Sequence, residues 1–343
     1  MSVIFKYFYI MINIDISIKI NNCLLLYKYV FLLILILFIY ISLFSSKKFL
    51  SFINVAYSFD NNYEYITHVS MKSIMLSQKA STFINFYLFV SNITYQQKTI
   101  INRIKYEHNN CKISFIDMGN KFQNYSIPLD IWSTAIYYRV YLQDLIPKEK
   151  KIIYLDCDTL IYKDLTKLYN YDIDNIYYVG MLENRHKKYF SNYNISFNQY
   201  INSGVLLCNL EELRKDKIAD KYLYFFEKFK GNINFPLNDG LNFVSNGKNG
   251  YFPPEYIVIG FCNEKESFNY YNEMNIKVNN FDVLKSYKDP YIYHFILHYK
   301  PWKSVSNVNK IVCVDPMNRF YEIAKKTYFY YDILHQFTIK LKI

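Results

Sequence analysis

Glycine and proline are scarce in this chain, with eight of each in 343 residues. No Walker-type glycine-rich loop occurs, which weighs against a P-loop kinase or ATPase. Six cysteines are scattered at Cys23, Cys111, Cys157, Cys208, Cys262 and Cys313, with no C-x-x-C spacing. That pattern fits neither a zinc cluster nor a dense disulfide framework, and a reducing compartment suits it better. Helix-turn-helix, RNP and zinc-finger signatures are missing as well, so the chain lacks the usual modules of nucleic-acid recognition. No small-x-small cleavage site follows its one long apolar run, which argues against a removed signal peptide.

What is present is a basic, strongly apolar chain, 52% hydrophobic with a formal charge of +11. It is long enough for one large domain or two small ones. Heavy use of Ile, Lys, Asn, Tyr and Phe has the look of A/T-rich coding, so part of the basic charge carries no functional message. The rest suits a membrane surface better than a nucleic acid. Tyr29 to Phe44 is sixteen residues without a charge, bracketed by Lys28 and by Lys47 and Lys48. As a helix it spans roughly 24 Å against a ~30 Å hydrocarbon core, a gap that snorkelling lysines and interfacial tyrosines can close. An N-terminal extension over 1–50 with a transmembrane helix at about 29–46 is expected. Lysines on both sides leave its orientation open.

From residue 52 onward strand-like and helix-like stretches alternate. Residues 52–59, 83–91 and 112–118 read as strands, and the stretch carrying Ile66, Val69, Met71, Ile74 and Met75 reads as a helix between the first two. Alternation of this kind predicts an α/β fold with a mixed, mostly parallel sheet flanked by helices, and ligands at the carboxyl ends of its strands. Acids appear there: Asp60 after the first strand, Asp117 at the end of the third, and Asp156 and Asp158 at the end of "KIIYLDCD". Residues two apart on a strand point the same way, so Asp156 and Asp158 face one spot. Two carboxylates that close call for a cation between them, and a hard divalent ion such as Mn²⁺ or Mg²⁺ suits oxygen ligands. The alternative is a pair of turn-forming aspartates capping a following helix, a role that Asp164 is expected to play nearby.

Four later stretches decide between these readings. "YRVYLQDLIP" (138–147), "YINSGVLLCNLEELRK" (200–215), "NDGLNFVSNGKNGYFPPEY" (238–256) and "YHFILHYKPWK" (293–303) surround the two aspartates in an order that resembles glycosyltransferase family 8, its lipopolysaccharide galactosyl- and glucosyltransferases in particular. The resemblance covers residues 52–305 and implies a retaining, metal-dependent enzyme of GT-A fold that uses a UDP-sugar. It implies Asp156, Asp158 and His294 as metal ligands and Lys300, in "KPW", as a phosphate contact. Ser58, Asp60, Asn62 and Tyr63 fall at the uracil site, and Arg139 and Asn202 at the donor sugar. Asn238 and Asp239, with Arg139, are the catalytic candidates. Two segments depart from the family: Leu237 and Asn238 stand where many members have Asp and Gln, and Leu297 stands where a small residue is common.

The resemblance therefore implies transfer of a hexose, glucose or galactose, to a glycan or lipid-linked saccharide by a catalytic domain over 51–305. Same-face attack is favoured over a covalent intermediate, since Asp239 is the one acid left in its segment and Asn238 is a poor nucleophile. The cysteine pattern and coding bias suggest the cytoplasmic face of a bacterial inner membrane. Residues 306–343 form a basic, aromatic tail, expected either to lie on a membrane as an amphipathic helix or to pack on the core. Loss of the acid at Leu237 keeps a second expectation open, a non-catalytic relative that binds sugar or a partner. A metal-dependent hydrolase or nucleotidyltransferase would use paired aspartates too, but gives no account of "NSG" and "KPW".

Overall fold

The structure is a computed structural model that describes residues 28–37, 49, 51–125, 133–183, 200–230, 233–260, 286–296, 300–302 and 314–331, with single helical positions at 265, 269 and 272. The chain divides into two compact units, Met1–Lys48 and Phe49–Ile343. In the first, residues 28–37 are helical and expose Phe31, Leu33 and Leu37. Among the described residues no helix is long and apolar enough to cross a membrane. The spanning helix expected at about 29–46 is therefore not found, and its residues 38–46 lie outside the described ones.

The second unit is built on a seven-stranded mixed sheet. Its strands are β1 (Ser51–Phe59), β2 (Thr82–Val90), β3 (Cys111–Asp117), β4 (Lys151–Leu155), β6 (Tyr178–Leu182), β7 (Ile201–Asn209) and β8 (Asn249–Tyr251), in the order β3-β2-β1-β4-β7-β6-β8. β1 pairs in parallel with both β2 and β4, whereas β7 runs antiparallel to β4 and to β6. The chain leaves β1 towards β2 on one side, while β4 has β7 on its other side. The crevice beyond the carboxyl ends of β1 and β4 is thus a topological switch point, where α/β sheets take their ligands.

β1 is buried on both faces from Ile53 to Phe59, as a central strand covered on two sides must be. Its side chains feed two separate cores by strict alternation. Val55 and Tyr57 join Ile153 and Leu155 on one face; Ala56 joins Ile152, Tyr154 and Leu206 on the other. Each fully buried apolar side chain of this size contributes about 1.5–3 kcal/mol relative to exposure.

Helix α1 (Glu64–Ser77) is buried continuously from Glu64 to Met75 rather than along one stripe. Its polar residues are accommodated by hydrogen bonds: Thr67 Oγ1 donates to Tyr63 O at 2.7 Å, Ser70 Oγ lies 2.8 Å from Tyr57 Oη, and Ser73 Oγ accepts from Ile161 N at 2.9 Å. Helix α2 (Tyr95–Asn102) begins with a capping box, in which Thr94 and Gln97 satisfy each other's backbone N–H. Two further helices, α3 (Ile218–Lys228) and α4 (Pro236–Ser245), cover the second core.

A smaller sheet has the order β5-β10-β9, from β5 (Thr159–Ile161), β9 (Ile257–Ile259) and β10 (Ile292–His294). β10 is antiparallel to β5 with His294 opposite Thr159. Helix α5 (Val314–Ala324) places Phe320, Ile323 and Ala324 in the first core, with Phe320 5.3 Å from Trp302, ring to ring. Its apolar side is occupied by the protein itself, so the described part of the tail packs rather than lying on a membrane. Residues 332–343 lie outside the described ones. Cys111, Cys157 and Cys208 are free and buried.

Candidate active site

No helix follows Asp158: the chain turns directly into β5, so the helix-capping alternative for the pair does not hold. Asp164 does serve a turn, accepting from Thr166 N at 2.8 Å and from Lys79 N at 3.1 Å. Two backbone pairings gather the site. Asp156 N donates to Gly204 O at 2.7 Å, which sets β7 against the end of β4. Phe295 N donates to Asp158 O at 2.8 Å, which continues the β10–β5 register. That register carries His294 across 136 positions of sequence to place Nε2 3.1 Å from Asp158 Oδ1 and 3.8 Å from Asp156 Oδ2.

One ligand atom each from Asp156, Asp158 and His294 lie within 4.8 Å of one another. Two carboxylates and an imidazole form a donor set for a hard or borderline divalent cation. Space for it depends on Gly204, where a Cβ would stand 2.3 Å from His294 Cε1 and 2.7 Å from Asp156 Oδ2. Donors and space together fit such an ion. Lys300 Nζ donates to Asp158 Oδ2 from the other side. Burial works against the charge on Asp158, but Lys300 and His294 outweigh it and hold the carboxyl well below the usual range.

Arg139 lies on the 3₁₀ helix Thr134–Tyr141, only 8% exposed. Its guanidinium donates to Asp156 Oδ1 at 2.6 Å and to Ser203 O at 2.6 Å, and it covers the Tyr154 ring at 4.2 Å. Burial opposes the charge, and the surrounding groups, the Asp156 carboxylate first among them, together outweigh it, so the pKa of Arg139 is raised. Its forked donors are spent on the protein, which makes it a brace for Asp156 and β7.

A cavity of about 350 Å³ opens beside this group. Ser58, Asp60 and Tyr63 line it at the end of β1, and Asn202, Asn238 and Glu183 line it together with Arg139 and Lys300. Tyr63 is kept a neutral phenol by burial first and then by the charges of Asp158 and others, which push its pKa up. Asp60 accepts from Asn62 N at 2.9 Å in a turn. Asn62 itself is exposed and is not part of the lining. The aspartate proposed as catalytic, Asp239, is not brought to the cavity either. It is fully buried, accepting from Tyr200 Oη at 2.7 Å and from Phe235 N at 3.1 Å, and so ties the first turn of α4 to the start of β7. Leu237 does line the cavity, as an apolar side chain. Leu297 lies outside the described residues.

Glu183 escaped the sequence reading. It follows the apolar run 177–182, so the rule that singled out Asp60 and Asp156, an acid just past a strand, applies to it equally. Asn242 was missed too. Asn242 accepts from Ile201 N and donates to Ile201 O, both at 2.8 Å, and so docks α4 on β7 as a strand neighbour would. Ser203 N and Oγ then meet Asn238 Oδ1 at 3.0 and 2.6 Å, four residues back along the same helix face.

Comparison with known proteins agrees with this geometry. Residues 54–306 match the family model described as Glycosyl transferase family 8. A provisionally named glycosyltransferase of Haemophilus influenzae is 30% identical over 201 residues, 57% of this chain and 60% of the relative. The lipopolysaccharide 1,2-glucosyltransferase of Escherichia coli K12 is 25% identical over 274 residues, 74% of this chain and 80% of that one. The general stress protein A of Bacillus subtilis is 30% identical over 120 residues. The matches span 60% and 42% of the Haemophilus and Bacillus proteins. In fold, the chain is similar to the galactosyltransferase LgtC solved with donor and acceptor sugar analogues, with a TM-score of 0.69 at 21% identity over 80% of this chain and 96% of that one.

Proposed function

The chain belongs to glycosyltransferase family 8, and from that premise we propose that it transfers a hexose, glucose or galactose, from a UDP-sugar to a glycan or lipid-linked saccharide with retention of configuration. The observation that carries the reading is the convergence of Asp156, Asp158, His294 and Lys300 at one cavity whose other walls hold Asp60 with Tyr63 and Asn202 with Asn238. A turn acid and an aromatic ring suit a nucleobase; amides suit sugar hydroxyls.

In this reading Asp156, Asp158 and His294 hold Mn²⁺, or Mg²⁺, which when bound offsets the charge of the diphosphate. Lys300 adds a second positive group at the leaving phosphate, already held beside Asp158. Asp60 and Tyr63 seat the uracil, with Ser58 beneath them. Asn202 and Asn238 orient the hexose, and Arg139 keeps Asp156 and the β7 backbone in register beneath it. Holding donor and acceptor in one orientation accounts for much of the rate such a site achieves. The acceptor hydroxyl attacks from the face that the phosphate leaves, passing its proton to the departing phosphate oxygen. Asp239, bonded to Tyr200 and Phe235, takes no part.

The exposed apolar helix at 28–37 and the charge of +11 support attachment to the cytoplasmic face of a membrane as part of the same reading. The test is hydrolysis of UDP-glucose and UDP-galactose by the full chain with Mn²⁺, following the released hexose by NMR. Release of the donor's own anomer first supports the reading. The opposite anomer, or no release from any UDP-hexose, contradicts it.

A further inference from the structure

Glu183 stands one residue beyond β6 with 2% of its surface exposed, and it lines the cavity. Two amides donate to the same carboxylate oxygen, Oε2: Asn202 Nδ2 at 2.7 Å and Asn238 Nδ2 at 3.1 Å. The orientation of both amides is settled elsewhere. Gly204 N donates to Asn202 Oδ1 at 2.7 Å, and Ser203 N donates to Asn238 Oδ1 at 3.0 Å. A backbone N–H can only donate, so each Oδ1 must face it and each Nδ2 must face Glu183. The pair of donors therefore converges on an acceptor oxygen, as an ionised carboxylate requires.

The place of this carboxylate is defined by the same contacts. Asn202 Oδ1 and Asp156 Oδ2 both lie within 3.0 Å of the point where a Gly204 Cβ would stand. One amide side chain thus separates Glu183 from the Asp156–Asp158–His294 group. A sugar joined to a diphosphate at that group, with Lys300 on the phosphates, extends along this wall. Of the acids among the described residues lining the cavity, Asp156 and Asp158 belong to the ligand group and Asp60 to the turn after β1. Leu237 adds no charge to the wall and Asp239 is turned away into the core.

We propose that Glu183 is the carboxylate that faces the donor sugar and opposes the positive charge developing at its anomeric carbon. The inference rests on the reading that this cavity takes a UDP-hexose. In a cavity shielded from bulk water a fixed, oriented carboxylate acts on a developing cation far more strongly than it would in solvent. The two amide donors hold its Oε2 in place. A strut that merely joined β7 to α4 would need an acceptor oxygen but no charge, which separates the two roles experimentally.

The test uses the full chain, saturated with UDP and Mn²⁺, titrated calorimetrically with 1-deoxynojirimycin and its galacto epimer. These carry a positive nitrogen in place of the ring oxygen, the atom that shares the developing charge with the anomeric carbon. Glu183→Gln keeps an acceptor oxygen for the two amides and removes the charge. The expected result is unchanged UDP affinity in the variant, iminosugar affinity at least about tenfold weaker, and UDP-hexose hydrolysis with kcat about a hundredfold lower at unchanged KM. Placing the charge back on the same wall, by adding Leu237→Asp to Glu183→Gln, is expected to recover part of the iminosugar affinity. Equal iminosugar binding by wild type and variant, no iminosugar binding by the wild type, or loss of UDP affinity together with iminosugar affinity each overturns the proposal. Failure of the wild type to bind UDP with Mn²⁺ is a separate result that removes the UDP-hexose reading and this inference with it.

Discussion

Gly204 lies opposite Asp156, and its missing side chain leaves room for three ligand atoms to face one another. Gly204→Ala is expected to weaken Mn²⁺-dependent UDP binding by at least about tenfold, since a Cβ there displaces both His294 and Asp156 by more than a van der Waals contact allows. Unchanged affinity by calorimetry would show that the group does not act as a ligand set. Asp239 gives a prediction in pH. Burial pushes its carboxyl up to about 6, with Glu183's charge adding and the Tyr200 and Phe235 hydrogen bonds opposing. The unfolded chain ionises this group near 3.9. Its contribution to stability is therefore whole below pH 4 and lost as pH rises through 6. Between pH 4 and pH 7 the unfolding free energy of Asp239→Asn should gain on the wild type by on the order of 2–3 kcal/mol, as chemical denaturation at the two pH values would measure. At this scale the sequence was readable where an apolar run ended in an acid, as at Asp60, Asp156 and Asp158. It misled at Asp239, because acidity says nothing about which side of a helix turn faces the cavity.

Helix α4 shows why the elements were easier to read than their mutual placement. Apolar runs marked β1 to β3 and the helix between the first two to within a residue or two, since a strand's period and a helix's period are local properties. The docking of α4 on β7 rests instead on Asn238 and Asn242, two polar residues whose partners are distant in sequence. The full burial of α1 was equally hidden, because helix α5 and the strand β5 that cover it come from far along the chain. Gly240 sits where α4 crosses α3, and a Cβ there would stand 2.8 Å from Tyr222 Cε1, a ring only 2% exposed. Alanine ordinarily stabilises a helix interior by about 1 kcal/mol over glycine, whereas overpacking costs about 1–3 kcal/mol. Gly240→Ala is accordingly expected to lower the thermal midpoint; a higher one would mean that the two helices are free to separate. Thr94→Ala removes the capping box of α2 and should cost about 1 kcal/mol in urea unfolding.

For the molecule as a whole, the family and the fold were legible because the conspicuous segments, from Asp60 to Lys300, follow one another in a set order along the sequence. What joins them is register: the pairing of β10 with β5 brings His294 to Asp158, and no local pattern encodes that pairing. The N-terminal unit carries the claim about location. Wild-type chain is expected to stay in the membrane pellet through a wash in about 1 M salt, which screens basic patches. Leu33→Arg with Leu37→Arg should release it, since each removes an exposed apolar side chain whose burial is worth about 1.5–3 kcal/mol; retention of the variant would place the attachment elsewhere. The central claim, a metal-dependent nucleotide site, is tested most directly by calorimetric titration of the full chain with UDP, with and without Mn²⁺, beside an Asp156→Ala/Asp158→Ala variant. Binding that requires Mn²⁺ and disappears in the variant is the predicted result. A folded wild type that binds no UDP, or a variant that binds it as well as the wild type does, would contradict the account.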